Sequence, residues 1–170
     1  MHSTLFLKNS YAEVDLSKEV VESTSNAGKV ISNSLNVRTG PSTTYEAIGK
    51  VYKNYTFEIL EQSGKWYKIN YNGSGAYVSA NSKYVSTFTK YNYKILATGT
   101  TTGGVNVRTG ESKNYSKISY LTKSTKVEIV KQASSGWYMI KYNEDYGYVC
   151  NKYVELDVDI DNDDKSDSEI

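Results

Sequence analysis

The chain repeats itself, and that repeat constrains its fold more than any other feature of its 170 residues. Asn36-Val37-Arg38-Thr39-Gly40 returns as Asn106-Val107-Arg108-Thr109-Gly110, 70 positions later. The match continues through Ser42, Tyr45, Ile48, Lys53, Glu58, Ile59 and Gln62, which recur as Ser112, Tyr115, Ile118, Lys123, Glu128, Ile129 and Gln132. After a one-residue slip, Trp66-Tyr67, Ile69, Tyr71-Asn72 and Tyr77-Val78 recur as Trp137-Tyr138, Ile140, Tyr142-Asn143 and Tyr148-Val149. A duplicated segment this short is a module, so two small domains are expected rather than one large core. The sequence divides into an arm over 1–26, a first repeat over 27–85, a connector over 86–96, a second repeat over 97–154 and an acidic tail over 155–170.

Charge follows the same division. The first repeat holds seven Lys/Arg and three Asp/Glu, the second eight and four, so each is mildly basic, while the tail holds eight acids and one lysine. The overall net charge of +1 averages these unlike parts. A basic module suits an anionic partner but does not by itself choose one. Cys150 is the one cysteine, so no intrachain disulfide can form and the modules must fold on packing alone. No stretch approaches the roughly 20 apolar residues of a membrane helix. Thr4-Leu5-Phe6-Leu7 is too short for the apolar region of an export signal, although Ser10-Tyr11-Ala12 resembles the end of one. The arm therefore reads either as the remnant of an export signal or as a short disordered segment.

Inside the repeats the composition is that of an all-β protein. Fourteen of the 17 tyrosines lie there, β-branched residues alternate with polar ones, and no window sustains a helical period except Val14 to Val21. Asn72-Gly73-Ser74-Gly75 and Asn143-Glu144-Asp145 read as hairpin turns. Short strands in units of this size predict two tandem small β-barrels, whose closure removes exposed strand edges. The connector, Ser86 to Leu96, lacks Gly and Pro and alternates Tyr91, Tyr93 and Ile95 with polar residues, so it is expected to be extended and ordered, fixing the relation of the modules.

Leu35-Asn36-Val37-Arg38-Thr39-Gly40-Pro41-Ser42, Tyr45, Ile48-Gly49, Trp66-Tyr67-Lys68-Ile69 and Gly75-Ala76-Tyr77-Val78 together resemble a bacterial SH3 (SH3b) domain. Val105 to Gly110, Trp137-Tyr138-Met139-Ile140 and Tyr146-Gly147-Tyr148-Val149 repeat the resemblance. The resemblance implies a small bent β-barrel and non-catalytic attachment to the bacterial cell wall, of the kind found beside peptidoglycan hydrolases of Gram-positive bacteria or their phages. The ligand implied is peptidoglycan stem peptide or glycan, with teichoic acid as a possible contributor, and the location is secreted or cell-wall associated. The second copy departs at Glu111, where the first has Pro41, and this is expected to loosen the loop after Gly110.

Strand alternation assigns candidate faces. If Ile69 is in the core, Tyr67 and Tyr71 share its side, and Trp66 and Lys68 lie opposite. Trp137 and Met139 occupy the same positions in the second copy. A Trp on a polar face needs a cover, either a ligand or the protein's own loop. Arg38 and Arg108, beside Asn36 and Asn106, could clamp a carboxylate or phosphate, or anchor the loop that follows. Ser42, Thr44 and Tyr45, with Ser112, Asn114 and Tyr115, lie in that loop, where recognition groups concentrate. Tyr77 and Tyr148 complete the candidate ligand-binding set.

Catalysis finds no support. His2 is the only histidine and Cys150 the only cysteine, so neither a Cys-His nucleophilic site nor a His-ligated zinc site can be assembled. In the tail, Asp159, Asp161, Asp163 and Asp167 match positions of a calcium loop, but Asp164 replaces its glycine and Ile170 its final acid, so the tail reads as solvated and no cofactor is expected, with weak calcium binding there as the alternative. A non-enzymatic monomer is expected, with capture of a host or bacterial surface protein as the first alternative and nucleic-acid binding by a basic barrel as the lesser one.

Overall fold

A computed structural model describes residues 6–9 and 12–157. It divides into two compact units. One spans Val21–Asn92, and the other joins the chain up to Val20 with the chain from Tyr93 onward. Among the described residues there is no α-helix, and Val14 to Val21 passes from strand through a turn into strand. The all-β class read from the sequence is the class observed.

At the start of the chain, β1 (Phe6–Asn9) and β2 (Ala12–Asp15) form a hairpin. The first unit contains β3 (Val21–Val30), β4 (Ser34–Arg38), β5 (Ala47–Tyr52), β6 (Thr56–Glu58), β7 (Glu61–Ser63), β8 (Trp66–Tyr71) and β9 (Ser74–Ser79), and β10 (Val85–Tyr93) reaches its boundary. Residues 21–26, assigned by sequence to the arm, are the first half of β3. The connector is mostly β10, which pairs with β3. One sheet has the order β5-β4-β9-β8-β7 and the other β10-β3-β6. Val30, Leu35, Val37, Val51, Phe57, Ile69, Ala76, Val78 and Val85 form a single core between them. Tyr67 and Tyr71 pack against it, as the alternation along β8 requires.

The second unit contains β11 (Ala97–Thr101), β12 (Val105–Arg108), β13 (Lys117–Leu121), β14 (Lys126–Gln132), β15 (Tyr138–Tyr142), β16 (Asp145–Val149), a 3-10 turn over Asn151–Tyr153 and β17 (Val154–Leu156). These seven strands form one sheet, β13-β12-β16-β15-β14-β11-β17. The continuous β14 covers the positions that β6 and β7 divide between two sheets in the first unit. Its core collects Val105, Val107, Val127, Ile129, Tyr138, Ile140, Val149 and Val154, and one residue from far outside the repeat, Leu16, which is 1% exposed. Val14 packs against the same cluster. The N-terminal segment therefore supplies core to the second unit.

Both predicted hairpins form. Tyr71 pairs with Ser74 and Tyr142 with Asp145, leaving two-residue turns. Asn72 and Gly73 take φ of 51° and 84°, and Asn143 takes 53°. Positive φ at these turn positions matches the twist of the flanking strands, which is why Asn and Gly stand there.

Candidate functional site

The repeated motif builds the same local device twice. Arg38 closes β4, and its Nη1 donates to the carbonyl oxygens of Thr43 at 3.2 Å and Tyr45 at 2.8 Å. Arg108 Nη1 donates to the Tyr115 carbonyl at 3.0 Å. The arginine thus anchors the loop after the motif. The motif's glycine has a steric reason as well. A Cβ on Gly40 would sit 2.5 Å from the Tyr45 ring, and one on Gly110 would meet the Tyr115 ring in the same way. The tyrosine ring lies on glycine backbone, and any larger residue would push it off.

Loop hydroxyls serve the loop itself. Ser42 Oγ and Thr44 Oγ1 are 2.8 Å apart, and the Thr44 N–H donates to Ser42 Oγ at 3.1 Å. The Asn114 N–H donates to Ser112 Oγ at 3.3 Å. With Glu111 in place of Pro41, the second loop keeps some of the first loop's hydrogen bonds but, among the described residues, lacks counterparts of the Ser42 N–H to Gly40 carbonyl bond at 2.9 Å and of the Arg38–Thr43 bond. Thr109 N–H donates to the Ser116 carbonyl at 2.9 Å, matching Thr39 to Glu46 at 3.0 Å, and Tyr115 to Ser112 repeats Tyr45 to Ser42 at 3.3 Å. The Arg108 bond and the turn hydrogen bonds hold the loop without the ring.

Beside each anchored loop lies a groove. In the first unit Asn36, Arg38, Lys50, Trp66, Ser79 and Tyr84 are among its lining residues, in a volume of about 380 Å³. In the second, the lining includes Asn106, Arg108, Lys113, Trp137, Cys150 and Tyr153, in about 310 Å³. Asn, Arg, Trp and Tyr stand at equivalent positions in both. Each groove has two cations, but the second comes from β5 as Lys50 in one copy and from the loop as Lys113 in the other. Cys150 takes the place of Ser79. Trp66 and Trp137 are half-buried, so each offers an indole surface to the groove. Among the described residues, Arg38 and Arg108 donate only through Nη1, leaving the rest of each guanidinium for a ligand.

The structure thus brings together Asn36, Arg38 and Trp66, and Asn106, Arg108 and Trp137. It leaves Ser42, Thr44, Tyr45 and Tyr77, with Ser112, Asn114, Tyr115 and Tyr148, out of the lining. Tyr77 and Tyr148 sit on β9 and β16, bridged to Arg38 and Arg108. Burial raises the Tyr148 phenol above its ordinary range, so it stays neutral. Tyr84 and Tyr153 join the grooves without having been singled out. Their signal was present in the Lys-Tyr-Val triplet that closes each repeat, at Lys83 and Lys152. The calcium-loop candidates Asp159, Asp161, Asp163 and Asp167 lie outside the described residues. Among the described residues no cluster of three His, Cys, Asp or Glu side chains could hold a metal, and no helix is long and apolar enough to cross a membrane.

Two stretches of the chain, 33–86 and 103–155, match the family model described as the bacterial SH3 domain. A Bacillus subtilis (strain 168) protein with the provisional name N-acetylmuramoyl-L-alanine amidase YrvJ is 30% identical over 155 residues, covering 82% of this chain and 29% of that protein. Among solved structures, NlpC1 from Trichomonas vaginalis aligns over 92% of this chain and 51% of its own, with 15% identity and a TM-score of 0.34. NlpC2 from the same organism aligns over 81% and 50%, with 14% identity and a TM-score of 0.33. The chain therefore spans less than a third of the amidase-named relative and about half of each solved chain.

Proposed function

The chain belongs to the bacterial SH3 domain family, in two copies, and from that premise we propose that it is a non-catalytic cell-wall-binding region that holds peptidoglycan through its twin grooves. The observation that carries this reading is the recurrence of one lining, Asn, Arg, Trp and Tyr, in two separate units. An indole face with a neighbouring tyrosine suits a sugar ring or an extended peptide. The guanidinium and the nearby lysine suit the carboxylates of a stem peptide. The amidase name of the Bacillus relative fits a wall context. Wall polyanions would add to the attraction through the basic surface of each repeat.

Sedimentation with insoluble peptidoglycan, with and without teichoic acid and at low and high salt, tests this. Binding that survives both stripping and salt is expected. Trp66→Ala and Trp137→Ala should each weaken their own groove by about 1–2 kcal/mol or more, as for a buried aromatic anchor. Loss of all binding on stripping would transfer the role to wall polyanions, and absence of binding to any wall would overturn the reading.

A further inference from the structure

The two units differ at one edge, and that difference points to a second binding site. In the second unit the N-terminal segment lies along the end of β14. The Gln132 N–H donates to the Leu16 carbonyl at 2.6 Å, and Lys131 Nζ pairs with Glu19 Oε2 at 2.8 Å. The hydrogen bond between them holds Glu19 below the usual carboxylate range and raises Lys131. Val130 is fully buried there, and Ala133 and Tyr138 are nearly so.

Among the described residues, the same edge of the first unit is bare. Leu60 stands where Val130 does and is 54% exposed, while Tyr67, at the position of Tyr138, is only half-buried. Both edges carry the same bulge. The Leu60 N–H donates to the Lys68 carbonyl at 2.9 Å beside the Glu61–Lys68 pair, and the register slips between Ile129 and Lys131 opposite β15. Ladder alternation therefore turns the Gln62 N–H outward as it turns that of Gln132. β7 is the outermost strand of its sheet. A groove of about 520 Å³ runs beside it, lined by Ile59, Leu60, Gln62, Tyr67 and Phe88 among others. Phe88 is 43% exposed.

We propose that this groove captures an extended segment of a partner protein, seated as residues 14–19 are seated in the second unit. The sister unit defines its chemistry: two apolar residues two positions apart, as in Val14 and Leu16, and a charged residue three positions beyond the second. The charge must be positive. Glu61 stands at the position of Lys131, so the partner of Glu61 is a Lys or Arg where the arm has Glu19. That reversal also disfavours the arm of a second copy, whose Glu19 would face Glu61. The groove shares no lining residue with the Arg38–Trp66 groove, so the proposal stands apart from the wall-binding reading.

The test is a fluorescein-labelled peptide of residues 12–20 carrying Glu19→Lys, titrated into the full chain by fluorescence anisotropy and mapped by amide chemical shifts. Saturable binding is expected, with shifts at Leu60, Gln62, Tyr67 and Phe88. The unsubstituted peptide should bind about two- to fivefold more weakly, the scale of an exposed ion pair. Glu61→Lys, an exposed change, should reverse that preference, while Trp66→Ala should leave it intact. The proposal is overturned by absence of saturable binding, by an affinity indifferent to Glu61→Lys, or by shifts confined to Lys131–Trp137, which would mean that the peptide displaces the arm from the second unit. Concentration-dependent self-association blocked by the peptide would equally overturn it, by making a second copy the occupant.

Discussion

Leu16 is the residue whose role is least apparent from its surroundings in the chain. It follows Asp15, whose carboxylate accepts from the Ser17 N–H at 2.8 Å and from its hydroxyl at 2.6 Å. This Asx-type turn ends β2 and aims the chain at the second core. Removing most of a fully buried leucine side chain costs about 2–5 kcal/mol through lost transfer energy and the cavity left behind. Leu16→Ala should therefore lower amide-exchange protection at Ile129 and Ile140 while leaving Ile69 and Val78 unchanged. Equal loss in both units, or none, would contradict the assignment of Leu16 to one core. Of the candidate binding residues, Arg38 shows how both readings of a residue can hold together: it anchors a loop through one nitrogen and lines a groove with the rest of the same fork.

At the scale of elements, the second unit is clamped where the first is not. Asp157, just after β17, accepts from Thr98 Oγ1 at 2.9 Å and Thr100 Oγ1 at 3.0 Å on β11, and pairs with Lys126 on β14 at 2.5 Å. Its position corresponds to Phe88 of the first unit, exposed and apolar. Hydrogen bonding to Lys126, aided by Thr98 and Thr100, holds the Asp157 carboxyl below its ordinary range, as Lys131 does for Glu19. A depressed carboxylate contributes stability that is present above its unfolded-state value and is lost as pH falls through its folded value. The second unit should thus soften selectively in acid, below about pH 4. Both pairs are partly exposed to solvent, so screening keeps their joint effect to about 1 kcal/mol. Protection factors of Val127 and Val149 against those of Val37 and Val78, followed from neutral to acid pH, measure it. Parallel softening of both units would show that the clamp contributes nothing.

At the scale of the molecule, the proposed wall-binding role would make two grooves of one lining a bivalent reader of a repetitive polymer. Linking two weak sites raises apparent affinity by about 10²–10⁴-fold when one ligand engages both. Trp66→Ala and Trp137→Ala, taken singly, should each abolish that gain on insoluble wall. With a soluble monovalent wall fragment, isothermal titration should instead show only half the sites lost. Loss of all fragment binding in one variant, with none lost in the other, would mean that one groove does all the binding.

The sequence by itself determined the two-unit organisation, the all-β class, the hairpin turns and the core face of β8, because each depends on patterns that run within a few residues: a repeated motif, a period of two, an Asn-Gly turn. It also marked Asn36, Arg38 and Trp66 and their counterparts, since the motif that folds the loop is the motif that lines the groove. Tertiary structure alone decided that Leu16 belongs to a core built more than 80 residues later, that Ser42 and Thr44 serve their own loop, and that β6 and β7 are separate where β14 is continuous. Those outcomes depend on which surfaces meet after the chain has closed on itself. Two equivalent edges, at Leu60–Gln62 and Val130–Gln132, ended in opposite states because one was covered by a segment that is adjacent to it only in space.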